Sequence, residues 1–239
     1  MKIICSVLLT LSALSGCAKK NVASVPAEIK LTDTSKVAYK VNGSSTYLAL
    51  GDSYTIGESV ALSQSFPYQL SSLLGLQANP TIIATTGWTT SNLIYAISNS
   101  NITNKTYDFV TLLIGVNDQY QGMNVDDYRT RFKQLLQTAI TFAKGDRTRV
   151  FVLSIPDYGV TPFANRDDSR IGPEIDNFNY VNRSESSFAG VNYLDITGIS
   201  KQAATDASLI APDGLHPSAK MYALWVQQLA PMVAARLNK

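Results

Sequence analysis

One histidine occurs in the 239 residues of this chain: His216, in the stretch "DGLHP". Any reaction that needs an imidazole as proton acceptor must use it. Asp213 precedes it by three residues, a spacing that lets the carboxylate reach back to Nδ1 within one turn. There it would fix the tautomer of the ring and stabilise the imidazolium. A hydroxyl for this pair to activate lies far upstream. Residues 47–60 read "YLALGDSYTIGESV", an apolar run that stops at Gly-Asp-Ser. Gly, Asp and Ser are also turn residues, and a serine hydroxyl attacks poorly until a base takes its proton. Ser53 is therefore a nucleophile only if the fold carries it to His216.

The elements that must do this are legible as alternating patterns. "TYLAL" (46–50), "TIIAT" (81–85), "DFVTLLIG" (108–115), "RVFVLSI" (149–155) and the shorter "VNYLDI" (191–196) read as buried strands. Between them, residues 65–76, 89–98 and 125–144 have helical spacing, and 217–230 starts a last helix at Pro217, with His216 at its entrance. Pro231 is expected to kink or restart that helix. Strands alternating with helices predict a parallel sheet covered on both faces. In such a sheet the strand carboxyl ends share one edge, where ligands bind. Asp52-Ser53, Thr86-Gly87 and Asn117-Asp118 each follow a strand, so the topology predicts that they are neighbours in space.

Acyl transfer also requires donors where a carbonyl oxygen becomes negative. The backbone amides of Ser53 and Gly87 and the side-chain amide of Asn117 are the candidates. Gly87 can approach closely because it lacks Cβ. "GDSY" (51–54), Gly87 in "TTGW", "GVND" (115–118) and "DGLHP" (213–217) occur in the order of the four sequence blocks of the SGNH hydrolases, also called GDSL esterases/lipases, and the chain resembles that family from Thr46 to the last helix. The resemblance implies a three-layer αβα sandwich around a flavodoxin-like, five-stranded parallel sheet. It implies Ser53 as nucleophile, His216 and Asp213 as base and orienting acid, and Ser53, Gly87 and Asn117 as oxyanion donors. Residues 153–164, "LSIPDYGVTPFA", look like the loop after the fourth strand in esterase-like members. The expected activity is hydrolysis of carboxylic esters (short acyl esters, acetylated glycans or lysophospholipids) without a cofactor. A glycan- or lipid-binding lipoprotein that retains the site is the alternative.

Other chemistries fit less well. No G-x-S-x-G or S-x-x-K occurs, and one histidine with so few thiols predicts no metal site. Asp52 and Asp118 could be proposed as a glycosidase pair, but acids following glycine-bearing strand ends more often order the turn. Tyr54, Trp88, Tyr120 and Tyr158 flank the four blocks, either lining the pocket or packing beside it. With 45% apolar and 16% charged residues and a net charge of +2, the composition is that of a globular domain without a basic stripe, which argues against a nucleic-acid partner. The chain is expected to act as a monomer.

The first residues, "MKIICSVLLTLSALSGC", have a charged start, an apolar core and small residues, the pattern of a secretory signal too short to span a membrane. Its end, "LSGC", resembles the lipobox of bacterial lipoproteins, which implies cleavage before Cys17 and lipidation of that residue. Ala18 at the next position favours an outer-membrane destination over the inner membrane of the cell envelope. The expected organisation is thus a signal peptide (1–16), a polar tether (17–45) and a hydrolase domain (46–239). Cys5 would leave with the signal, so the mature chain would have no disulfide.

Overall fold

The computed structural model describes Tyr39, residues 41–164 and residues 169–238. The expected signal peptide, Cys17 and most of the expected tether lie outside the described residues. The packed chain begins ahead of Thr46: Tyr39 and Val41 lie against the core, and Gln77 N–H donates to the Gly43 carbonyl (2.8 Å). Among the described residues no helix is long and apolar enough to cross a membrane.

Five strands form one sheet: β1 (Tyr47–Gly51), β2 (Thr81–Ala84), β3 (Phe109–Leu113), β4 (Val150–Leu153) and β5 (Asn192–Leu194). Their order is β2-β1-β3-β4-β5 and every pair is parallel. The three inner strands are buried at every position, whereas the edge strands β2 and β5 are half exposed. That burial explains why the inner strands read as continuous apolar runs, since both faces of the sheet are covered. The helices α3 (Thr90–Ser98), α5 (Val125–Phe142) and α6 (Ile171–Ala189) pack in one row, and α2 (Phe66–Leu74) packs on α8 (Ala219–Leu237) in the other. The short helices α1 (Ser53–Ile56), α4 (Val116–Tyr120) and α7 (Thr197–Lys201) occupy the loops. The fold is the α/β sandwich expected from the sequence.

Two details depart from that expectation. The last helix starts at Ala219, capped by Ser218, whose Oγ accepts from Met221 N–H (3.3 Å). Pro217 therefore precedes the helix rather than opening it, and pairs with Ile210 in an isolated antiparallel bridge. The helix also continues past Pro231, so it does not restart there. Pro231 and Gln227 are both exposed, so the carbonyl that loses its amide donor can be hydrated.

Candidate active site

The strand register sets the site. Gly51 pairs with Ala84 on one side and Leu113 on the other, so β1, β2 and β3 end level. The residues that follow these ends therefore meet at one edge. A side chain at Gly51 would stand 2.1 Å from Thr55 Oγ1 and 2.4 Å from the Leu113 carbonyl, so only glycine lets α1 turn this tightly off the strand. Asp52 caps α1, its Oδ1 accepting from Tyr54 N–H (3.0 Å), and Ser53 is the first helical residue. Gly57 ends the helix in the left-handed conformation.

His216 is held from three directions. Its Nδ1 lies 2.6 Å from Asp213 Oδ2, and its own N–H and that of Leu215 both donate to Asp213 Oδ1 (3.0 Å each). The bridge beneath it adds Ala211 N–H to the His216 carbonyl (2.7 Å) and Ser218 N–H to the Leu209 carbonyl (2.8 Å). The Tyr54 ring packs on the imidazole at 5.5 Å between centroids. With Nδ1 committed to Asp213, Nε2 is the nitrogen left for a hydroxyl. Burial would raise the Asp213 carboxyl, but hydrogen bonds from Ser59, His216 and the two amides outweigh it and hold it at about 2. It is a carboxylate throughout the working pH range.

Ser53, Gly87, Asn117 and His216 line one cleft of about 160 Å³ with Tyr54, Thr86, Val116, Tyr120, Tyr158, Phe163 and Leu215. Ser53 and His216 share it without being hydrogen-bonded to each other, as is common before substrate tightens a site. Asn117 is oriented by one hydrogen bond, from Nδ2 to the Trp88 carbonyl (3.0 Å), which leaves the second amide hydrogen available. Gly87 has φ +81°, and a Cβ there would meet no atom within 4 Å. Within the protein its need for glycine is thus conformational.

The two acids beside these residues are structural. Asp118 is buried and accepts from Thr90 N–H (2.8 Å) and Oγ1 (2.5 Å), tying the end of β3 to the start of α3. Burial raises its carboxyl against those bonds and the nearby Arg131 charge. Asp52 is pushed up to about 8, first by burial and further by the Asp118 charge. A pair of buried acids already engaged in turn and cap does not form a glycosidase centre.

Of the four flanking aromatics, Tyr54, Tyr120 and Tyr158 line the cleft. Trp88 instead packs against the core and contributes only its carbonyl. Phe163, Val116 and Leu215 were not singled out from sequence, nor was Ser59. Phe163 stands within 6.4 Å of both Tyr120 and Tyr158, closing an aromatic wall whose outer members, Tyr120 and Phe163, are exposed. The loop carrying Tyr158 is pinned from outside: Asn179 of α6 bonds both backbone groups of Ile155 (2.7 and 2.9 Å), and Ser200 Oγ accepts from Asp157 N–H (2.8 Å).

A strand-end serine, a histidine–carboxylate couple and amide groups thus meet at one cleft of an α/β sandwich. The family model for the GDSL-like Lipase/Acylhydrolase family matches residues 49–224, and the chain belongs to this family of hydrolases. Among solved structures of the same fold is a putative GDSL-like lipase from Parabacteroides merdae, with a TM-score of 0.64 and 18% identity over 81% of this chain and 99% of that one. An acetylxylan esterase from Geobacillus stearothermophilus has a TM-score of 0.60 and 19% identity, covering 84% of this chain and 97% of its own. The lipase/acylhydrolase from Enterococcus faecalis has a TM-score of 0.60 and 20% identity, covering 81% and 97%. No curated protein sequence matches the chain.

Proposed function

We propose that the protein is a serine esterase for carboxylic esters with small acyl groups, such as acetylated glycans or short acyl esters, working through an acyl-serine intermediate. Ser53 Oγ attacks the ester carbonyl while His216 Nε2 takes its proton. The developing oxyanion accepts from Ser53 N–H, Gly87 N–H and Asn117 Nδ2–H. Collapse expels the alcohol, which leaves with the proton from His216. A water then attacks the acyl-serine, gives its proton to His216, and the acid departs with Ser53 restored.

The observation that carries this reading is the Asp213–His216 couple opening onto the same cleft as Ser53, Gly87 and Asn117. The cleft, about 160 Å³, suits an acetyl or other short acyl group. The exposed faces of Tyr120 and Phe163 suit a sugar or other alcohol part stacked at the rim. Cys17, in this reading, carries lipid and holds the enzyme to the bacterial envelope.

The test is a chain-length series of p-nitrophenyl esters with acetylated xylan and a lysophospholipid beside it. Activity should be greatest on acetyl and fall with chain length, and Ser53→Ala should lower kcat by roughly 10⁴-fold or more with folding intact. A fluorophosphonate probe should label the wild type and not the variant. A wild type that binds acetylated xylan without cleaving any of these esters would make the protein a binding module instead.

A further inference from the structure

The turn after α1 touches both of the loops that complete the site. Ser59 Oγ donates to Asp213 Oδ2 (2.6 Å), the same oxygen that takes His216 Nδ1 (2.6 Å), across 154 positions of sequence. Its neighbour Glu58 accepts a hydrogen bond from Thr86 Oγ1, next to Gly87. Ser59 holds φ +65°, one of two described non-glycine residues in the left-handed region, the other being Lys144. A serine adopts that backbone reluctantly, and here it is what aims the hydroxyl at Asp213.

We propose that Ser59 is a positioning residue for the reaction, acting through Asp213. It gives Oδ2 a second donor beside His216 Nδ1, which adds to the amides on Oδ1 in fixing the carboxylate and draws part of its charge away from the imidazole. The turn at residues 57–59 thereby couples the acid–base loop to the loop of Gly87, since each is bonded to an adjacent residue of one short segment. The inference rests on Asp213 and His216 serving as orienting acid and base.

The test is Ser59→Gly, which removes the donor while permitting the same backbone. We expect kcat to fall roughly tenfold, the scale of one hydrogen bond to a charged group, with KM and the melting temperature little changed. Without this donor the Asp213 charge bears more fully on the imidazole, favouring its protonated form, so the acidic limb of kcat/KM should move to higher pH. Tyr54 and Tyr222, which also feel Asp213, are kept protonated by burial. Asp52, raised by burial to about 8 beside Ser53, titrates alike in wild type and variant, so the limb is read as the difference between the two. Ser59→Thr, which keeps the hydroxyl, should restore kcat and the limb even where the β-branched side chain lowers the melting temperature. In an Asp213→Asn background, Ser59→Gly should cost almost nothing further. Wild-type kcat and limb in Ser59→Gly, or an undiminished loss in the Asp213→Asn background, would overturn the proposal. Near-normal turnover in Asp213→Asn alone would instead overturn the triad on which it rests.

Discussion

Replacing Asp52 by asparagine should leave the protein about as stable as wild type near pH 4 and make it progressively more stable than wild type from pH 5 to pH 9. Asp52 Oδ1 caps α1, but Oδ2 is buried without a partner. Burial, with help from the Asp118 charge, moves this carboxyl from an ordinary 3.8 to about 8 against the Tyr54 hydrogen bond. Between those values the folded state holds a proton that the unfolded chain has released. The slope of stability with pH is therefore negative: the contribution is fully present below about pH 4 and lost by about pH 8, at about 1.4 kcal/mol per pH unit and about 6 kcal/mol in all. Asparagine keeps the cap acceptor and never ionises. Asp118, also raised, retains part of the slope in the variant. Asp108, Asp146, Asp206 and Asp213 are all lowered and respond only at the acid end, outside this window. Urea unfolding at pH 5, 7 and 9, followed by fluorescence of the fully buried Trp225, reads the difference directly. Parallel curves for wild type and Asp52→Asn, separated by a constant gap, would refute a buried neutral carboxyl beside Ser53.

Asn117→Ala should lower kcat roughly 10²–10³-fold with KM changed far less, because it removes a donor that matters only once the oxyanion forms. A raised KM at unchanged kcat, measured on p-nitrophenyl acetate, would make Asn117 a substrate-binding residue instead. Cys17→Ala should leave the precursor uncleaved by the lipoprotein peptidase and unlabelled by radioactive palmitate; a wild-type mature protein that starts elsewhere would refute the anchor.

The fold was legible because its inner strands are buried on both faces and so read as apolar runs without alternation. What escaped was α6. Its sequence carries Asn179, Asn182 and Ser186 on the buried side, residues that favour turns when only local structure is weighed. Two of them are held at long range: Asn179 bonds the backbone of Ile155, and Asn182 Oδ1 accepts from the Tyr128 hydroxyl (2.5 Å). No window of sequence contains those partners. At Pro231 the helix continues where a restart was one of two expectations, because the carbonyl of Gln227 lies on an exposed face where water can take the place of the missing amide.

The site divides along the same line. His216 was legible because it has no competitor, and Asp213 because its contact with His216 spans three residues. Gly87 and Asn117 were legible through topology, which brings strand ends together whatever the distance along the chain. Ser59 had no such signal. Its side chain meets Asp213 through the path of a surface turn, and that path depends on a left-handed backbone at a residue type that seldom adopts it. Reactive groups at strand ends are thus recoverable from sequence, because regular structure dictates where those ends lie. The groups that hold them in register sit on irregular turns and become visible only when coordinates show which oxygen each one reaches.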